Sequence, residues 1–553
     1  MAGNSLIRPL SSRFLRQVPA PQWLWWSLLL GLLLTIPLLV VLLRVFLPGS
    51  EAWRHIVDNL LLEYALNSLL LCLLTGGMAL ALGVSTAWFV SRYRFPGSNW
   101  LEWALILPLA LPSYIVAYSY AGLLSFTGPI YGSIQQIASP EWASRLYFDS
   151  MNLFTLSITL ALVLFPYVYL ASKAAFQLQS GAIMEAASAL SGNSWRIFYR
   201  IALPLARPAI AGGLFLVLME VLNDYGAVLY FGVSTFTTGI FKAWFSMGDL
   251  EAAIKLSAVL MLLVGLLFAF EQSLQRKRFA SNTGLKSRVR TQAFGLQAWM
   301  LSLACFLPFF FGFLLPFGKI AADAYATWSR VQGPQFSRAI LHSVGMAAAA
   351  SALIVLLSIL FIYSSRINKS ILGRGVSRVV SLGYALPGAV IAVGVMVVAS
   401  GVEDIVEWLT AGMGSRMGHI LITGSITGLL YAYLIRFMAV SINPLEGHFK
   451  QQCAKVDEAS RSLGRSHIYT LFRVNIPVLR PAILSALLLV FLDVMKELPL
   501  TLILRPFNFD TLATTAFDFA NDEMLRESAS ASLLIVISGI VPILLLHKLI
   551  KRI

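Results

Sequence analysis

The sequence predicts an all-α, polytopic membrane protein with about twelve transmembrane helices in two tandem repeats of six. Three observations carry that prediction. Of 553 residues, 58% are hydrophobic and only 12% charged, where a soluble chain carries about 25%. Apolar runs of roughly twenty residues, enough to cross a ~30 Å hydrocarbon layer, recur from "WLWWSLLLGLLLTIPLLVVLL" near the start to "LLIVISGIVPILLLHKLI" near the end. A polar stretch, "EAASALSGNSWRIFYRIALPLARPAI" from Glu185, returns as "EASRSLGRSHIYTLFRVNIPVLRPAI" from Glu458.

In chain order, the apolar runs place spans near 23–47, 63–91, 101–126, 152–176, 209–232, 252–272, 296–318, 339–363, 378–400, 418–440, 481–504 and 531–549. The first run is too long for a signal-peptide core and no small-residue cleavage site follows it, so it reads as a retained span. Residues 1–22 then form a cytoplasmic N-terminal segment, 23–272 the first repeat, 273–295 a basic cytoplasmic linker and 296–553 the second repeat. Glu185 and Glu458 lie 273 residues apart, and the same offset pairs Pro204 with Pro477 and the run Arg207–Ile210 with Arg480–Ile483. "ALP" at Ala110–Pro112 matches Ala385–Pro387 at an offset of 275, as Asn67-Ser68 matches His342-Ser343. Six spans per repeat give both copies one orientation, related by an axis along the membrane normal.

The net charge of +15 does not point to nucleic acid, because the basic residues sit in short clusters beside span ends: "RPLSSRFLRQ", "SRYRFPG", "QRKRFASNTGLKSRVR", "SSRINKSILGRGVSR" and "KLIKRI". Positive charge collects on the cytoplasmic side, which puts both termini in the cytoplasm. Cys72, Cys305 and Cys453 have no metal-ligand spacing and imply no disulfide, and the six histidines are scattered singly.

Each copy of the repeated stretch falls between the fourth and fifth spans of its half, on the cytoplasmic side. "EAASAL" is a strong helix former. Gly192 and Gly464 stop that helix, a second helical segment follows, and prolines set the angle at which the chain returns to the membrane. One reading is a surface helix that caps the bundle. The other, favoured by two copies at equivalent places, is a docking site for a two-fold symmetric partner. Glu185, Ala186, Ala187, Gly192, Leu203 and Pro204 resemble the "EAA…G…LP" signature of permease subunits of ATP-binding-cassette importers. In the second copy Glu458, Ala459, Gly464 and Pro477 match, while Ser460 and Ile476 depart, and Gly192 sits one position later than Gly464 relative to its Glu. The resemblance implies type I permease repeats in a bacterial inner membrane, coupling helices seated in two ATPase subunits, and a substrate-binding protein at the outer face. No phosphate-binding G-x-x-x-x-G-K-[ST] loop is present. ATP is therefore expected to be used by separate chains, with no cofactor bound here and no enzyme activity of this chain.

The fifth spans, "AGGLFLVLMEVLNDYGAVLYFG" and "LSALLLVFLDVMKELPLTLILR", pair Glu220 with Asp493 and Asp224 with Glu497 at the 273 offset. Spaced i, i+4, each pair is expected on one helix face, with Glu220 roughly 15 Å deep at a 1.5 Å rise per residue. Four carboxylates would cost on the order of 10 kcal/mol on the insertion scale. They line a cation-attracting pathway, or they are neutralised internally, as Lys496 could do for Asp493. Hard cations prefer oxygen ligands. "LMEVLNDYGAVLYFGVSTFTTGIFKAW", "DVMKELPLTLILRPFNFDTLATTAF" and "LPLALPSYIVAYSYAGLL" resemble the fused permeases of ferric-iron importers, with polyamine and thiamine permeases also close relatives.

Tyr114, Tyr118 and Tyr120 read as interfacial anchors, though a phenolate is a good ferric ligand. Asn67-Ser68 and His342-Ser343 read as interhelical ties more than as a substrate site. The loop "RPFNFDTLATTAFDFANDEMLRES" is expected outside, with Asp522 matching Asp249, either as a surface for the binding protein or as solvated loop. The rival to an ATP-driven importer is a gradient-driven secondary transporter, which has no need of paired cytoplasmic docking helices.

Overall fold

A computed structural model describes residues 21–137, 149–179, 194–275, 290–367, 380, 383–410, 423–449 and 454–552. Among them nine helices are long and apolar enough to cross a membrane, from Trp25–Arg44 to Ile426–His448. Two bent pairs bring the number to eleven: Ser98–Ala110 with Ser113–Gln136, bent by 92°, and His467–Val478 with Arg480–Met495, bent by 76°. The 28-residue helix Leu525–Arg552 stands where the twelfth span is expected. The only strands among the described residues are two-residue segments, Tyr93–Arg94 and Thr291–Gln292, paired in parallel.

The two halves interlock. The first span, Pro21–Arg44, packs on Pro334–Ile367 and Gly388–Thr410 of the second half as well as on Leu250–Gln275 of its own. The Tyr431 hydroxyl donates to the Leu33 carbonyl. Gly394 lets the backbones close, since a Cβ there would lie 2.8 Å from the Pro37 carbonyl oxygen. In return the seventh span, Gly295–Val331, packs on Leu525–Arg552 and reaches the first half. There the Tyr120 hydroxyl donates to the Phe311 carbonyl at 2.6 Å. Each repeat's first span therefore clasps the opposite half. In a bilayer, where apolar burial gives helices no drive to associate, close backbone packing and interhelical hydrogen bonds of this kind hold the bundle.

The Asn-Ser and His-Ser pairs are ties of the same sort. Asn67 donates to the Ser234 carbonyl at 3.0 Å and the Ser68 hydroxyl accepts from the Phe236 amide at 3.2 Å. His342 Nδ1 donates to the Asp510 carbonyl at 3.1 Å and the Ser343 hydroxyl accepts from the Leu512 amide at 2.6 Å. The helices they hold, Phe236–Phe241 and Leu512–Asn521, both start with a capping box, Thr235 with Thr238 and Thr511 with Thr514. Those threonines are related by 276, not 273, so three extra residues precede the second copy. That shift overturns the pairing of Asp522 with Asp249. Asp249 accepts the Ala252 amide at the start of Leu250–Gln275, whereas Asp522 sits at the C-terminal end of Leu512–Asn521.

Candidate functional site

The fifth span of each half is interrupted at the same place. Leu203–Asn223 stops before Asp224, whose backbone is extended (ψ 125°), and a short helix, Gly226–Tyr230, follows. Arg480–Met495 stops before Glu497, and Pro499–Leu504 follows. The expectation that each acidic pair shares one helix face is therefore corrected: Glu220 and Asp493 lie in the last helical turn, while Asp224 and Glu497 lie in the break. A broken helix bares amides that lack intrahelical acceptors, and these two carboxylates accept them. Asp224 Oδ1 accepts from the Ala227 amide at 2.8 Å and Glu497 Oε1 from the Leu500 amide at 3.2 Å.

The two "ALP" motifs face these breaks. Each closes a short 3-10 turn, Leu107–Ala110 or Gly383–Ala385, ahead of a new helix, Ser113–Leu124 or Gly388–Thr410. The Ser113 hydroxyl donates to Asp224 Oδ2. In the second half Gly388 takes the place of Ser113, and any side chain there would collide: a Cβ would lie 2.6 Å from Glu497 Oε1 and 3.0 Å from Arg436 Nη1. Across the halves, the Gly388 amide donates to Asn223 Oδ1 at 2.7 Å. The Tyr384 hydroxyl donates to Glu220 Oε1 at 3.2 Å, with the Tyr167 hydroxyl at 3.5 Å from the same oxygen.

These groups enclose a cavity of about 70 Å³ between the halves, whose wall carries all four carboxylates together with Lys496 and Arg436. Four acidic and two basic side chains give a formal charge of −2. Both cations belong to the second half. Lys496 Nζ lies 2.8 Å from Asp493 Oδ1, the pairing open from the sequence. Arg436 Nε lies 3.2 Å from Glu497 Oε2, off the line of a hydrogen bond, while Arg436 Nη1 donates to the Leu386 carbonyl at 3.1 Å. Among the described residues no cation lies within salt-bridge distance of Glu220 or Asp224, although the Lys496 ammonium is within electrostatic reach of Glu220. No three acidic, histidine or cysteine side chains converge as a metal centre among those residues.

Tyr114 and Tyr118 are not interfacial anchors. They are 5% and 4% exposed, packed within the bundle, and only Tyr120 among the three is partly open. Tyr114 lines the cavity, and its hydroxyl is buried without a hydrogen-bond partner. Sequence reasoning missed Arg436, Tyr167, Tyr384 and Ser113. Arg436 left a readable signal, an arginine inside the apolar run "LLYAYLIRFMAVSI", because an ionisable residue at such depth implies a partner. The tyrosines and Ser113 left none.

At the other candidate stretch, Glu185, Ala186, Ala187 and Gly192 lie outside the described residues, as does the side chain of Glu458. The second copy is otherwise described. Helix Ala454–Ser462 ends ahead of Gly464, whose φ of +77° is left-handed and suits a residue without Cβ. Ser460, a departure from the signature, is buried and its hydroxyl meets that of Thr470 at 2.8 Å, joining this helix to His467–Thr470. Arg366 Nη2 lies 3.0 Å from Asp457 Oδ2, and the Tyr363 hydroxyl donates to the His467 carbonyl at 2.7 Å. The stretch is thus braced to the end of Pro334–Ile367. Beyond it the halves differ. The chain bends at Leu479, just before Pro481, in the second half, but runs as one helix, Ser194–Asn223, through Pro204 and Pro208 in the first. Pro477 is exposed and Pro204 half-buried. Apolar side chains stand out at matching places, Trp195 and Tyr199 in one half and Ile468 and Phe472 in the other.

At the face bearing Arg505–Asp522, a wide depression of about 730 Å³ runs between the halves, bordered by Leu229, Phe245, Arg505, Phe507, Asp510 and Asp518. Burial pushes the Asp518 carboxyl above its ordinary range, opposed by Arg505 at 3.3 Å and reinforced by Asp510 and Asp522.

Comparison with known proteins follows the same two-fold division. A family model described as binding-protein-dependent transport system inner membrane component matches residues 79–280 and again 356–552. The chain is 25% identical to the Fe(3+)-transport system permease protein FbpB 2 of Haemophilus influenzae over 96% of this chain and 98% of that protein. It is 22% identical to the ferric transport system permease protein FbpB of Actinobacillus pleuropneumoniae, over 89% of this chain and 72% of the relative. The sulfate transport system permease protein CysT of Escherichia coli is 26% identical over 36% of this chain and 69% of its own length.

Proposed function

The chain belongs to the binding-protein-dependent transport system inner membrane components, a family of ATP-binding-cassette importer permeases, and from that premise we propose that its cargo is ferric iron. The observation that carries the cargo reading is the central cavity. Its wall holds a surplus of carboxylate, and among the described residues the first half's Glu220 and Asp224 have no cation within salt-bridge distance. Carboxylates that deep are costly unless they meet water or a counter-ion. A hard, highly charged cation is the cargo that would compensate them, with phenolic oxygens of Tyr114, Tyr167 and Tyr384 in the same wall. Glu220, Asp224, Asp493 and Glu497 then form a transient cation pathway. Similarity to ferric permeases along nearly the whole chain supports this reading.

ATP is hydrolysed on two separate ATPase subunits, seated on the paired stretches around Glu185, Ala186, Ala187, Gly192 and Pro204, and around Glu458, Ala459, Gly464 and Pro477. Exposed Trp195, Tyr199, Ile468 and Phe472 suit such a partner, since aromatic and aliphatic anchors dominate interface cores. Both termini lie in the cytoplasm and a substrate-binding protein delivers cargo at the opposite face. Nucleotide-driven approach of the ATPases moves the braced stretches, the clasped halves rock, and the cavity opens to one side at a time. Glu220→Gln with Asp493→Asn is expected to slow ferric uptake by about tenfold or more, ~1.4 kcal/mol of barrier, while the ATPase subunits still co-purify. Uptake at the wild-type rate would refute the pathway role.

A further inference from the structure

Lys496 and Arg436 are the two cations of the cavity wall, and they are held differently. Arg436 is 4% exposed and wedged between Glu497 and the Leu386 carbonyl. Lys496 closes a helix end, its side chain is 24% exposed, and among the described residues its ammonium pairs only with Asp493, three residues back on the same turn. Its ammonium also lies within electrostatic reach of Glu220 from the other half. The repeat sharpens the point. At the position equivalent to Lys496 the first half has Asn223, which reaches across to the Gly388 amide and ties the halves together. Lys496 makes no such tie. It is a compact cation on a flexible four-carbon stem, beside the carboxylates that a cargo cation must use.

We infer that Lys496 is a specificity-determining residue. It is a tethered ammonium that occupies the cargo's place beside Asp493 in the closed cavity and sets the charge a free cation needs to displace it. The inference rests on the cation-pathway reading. The physics is a competition at fixed position. A monovalent ion gains no more from Asp493 than the tethered ammonium does. An ion of charge three gains three times the Coulomb energy at equal distance and dielectric. The lysine would thus act as a threshold that multivalent cations cross and abundant monovalent ones do not.

The test uses the purified full chain in lipid nanodiscs with Tb³⁺ alone as probe, read by luminescence excited through nearby tyrosines, and Ca²⁺ as a competitor of similar size and lower charge. The site is defined as the part of the signal lost in Glu220→Gln. Lys496→Met is expected to tighten Ca²⁺ at that site by about tenfold or more and to narrow its disadvantage against Tb³⁺. Lys496→Arg should keep the wild-type ratio. Lys496→Gln, which carries the amide found at Asn223, serves as a second charge-removing variant should the methionine variant fail to fold. Unchanged or weaker Ca²⁺ binding in both would overturn the inference while leaving the pathway reading intact. A Tb³⁺ signal indifferent to Glu220→Gln in every background would overturn both.

Discussion

The fifth spans of the two halves have the same break, the same caps and acidic residues at the same two positions, yet they solve the buried-charge problem in opposite ways. The second half neutralises itself, Asp493 against Lys496 and Glu497 against Arg436. The first half leaves its carboxylates to hydroxyls and amides: Tyr167 and Tyr384 on Glu220, Ser113 and Ala227 on Asp224. Arg436 stands where the first half has Val163, at the 273 offset. A repeat that duplicated both function and stability would not need this division. The difference teaches that the second half is the electrostatically settled side of the interface, and the first half the side whose carboxylates lie beyond salt-bridge distance of any cation among the described residues.

Five changes would break or sharpen that contrast. The largest effect is expected where the halves are equivalent. Glu185→Ala with Glu458→Ala should abolish ATP-dependent uptake and co-purification of the ATPase subunits, measured in membranes containing equal amounts of permease. Persistent uptake would favour a gradient-driven carrier. Next, Arg436→Met should cost roughly 3–5 kcal/mol, because it strands a buried Glu497 carboxylate. Glu220→Gln should change stability by less than about 1 kcal/mol, since its hydrogen-bond partners are neutral hydroxyls. Denaturation of both variants in detergent checks this, and equal losses would erase the asymmetry. Asn223→Ala leaves the Gly388 amide without its cross-half acceptor and should cost about 1–3 kcal/mol. Its signature is a looser interface, read as faster hydrogen exchange at the start of Gly388–Thr410. Smallest, Ser460→Ala removes one buried hydroxyl pair with Thr470, worth about 1 kcal/mol. Uptake should fall modestly, with ATPase binding retained.

Much was legible before any coordinates. Composition and span-length apolar runs gave the all-α membrane class, because a bilayer tolerates few backbone arrangements and each span must satisfy its amides internally. The 273 offset gave the two-fold repeat, and it located the four carboxylates. The i, i+3 spacing also marks Lys496 as a partner for Asp493, and the two pair at 2.8 Å. What failed was local geometry. The i, i+4 spacing implied a shared helix face, but spacing means that only while the helix continues, and here it stops between the two residues. Position near a span end points Tyr114 and Tyr118 to the membrane interface, yet the bent third span turns them into the bundle.

Periodicity, charge clustering and self-similarity are properties of a chain read in one dimension, and the lipid solvent makes them decisive: they settled that this chain crosses the membrane many times as two copies of one unit. Which arginine meets Glu497, which tyrosine reaches across from the other copy, and which first span clasps which half depend on residues from about sixty to several hundred positions apart. Those choices were made by packing, since a hydrogen bond or ion pair between distant segments exists only once their backbones have been brought together.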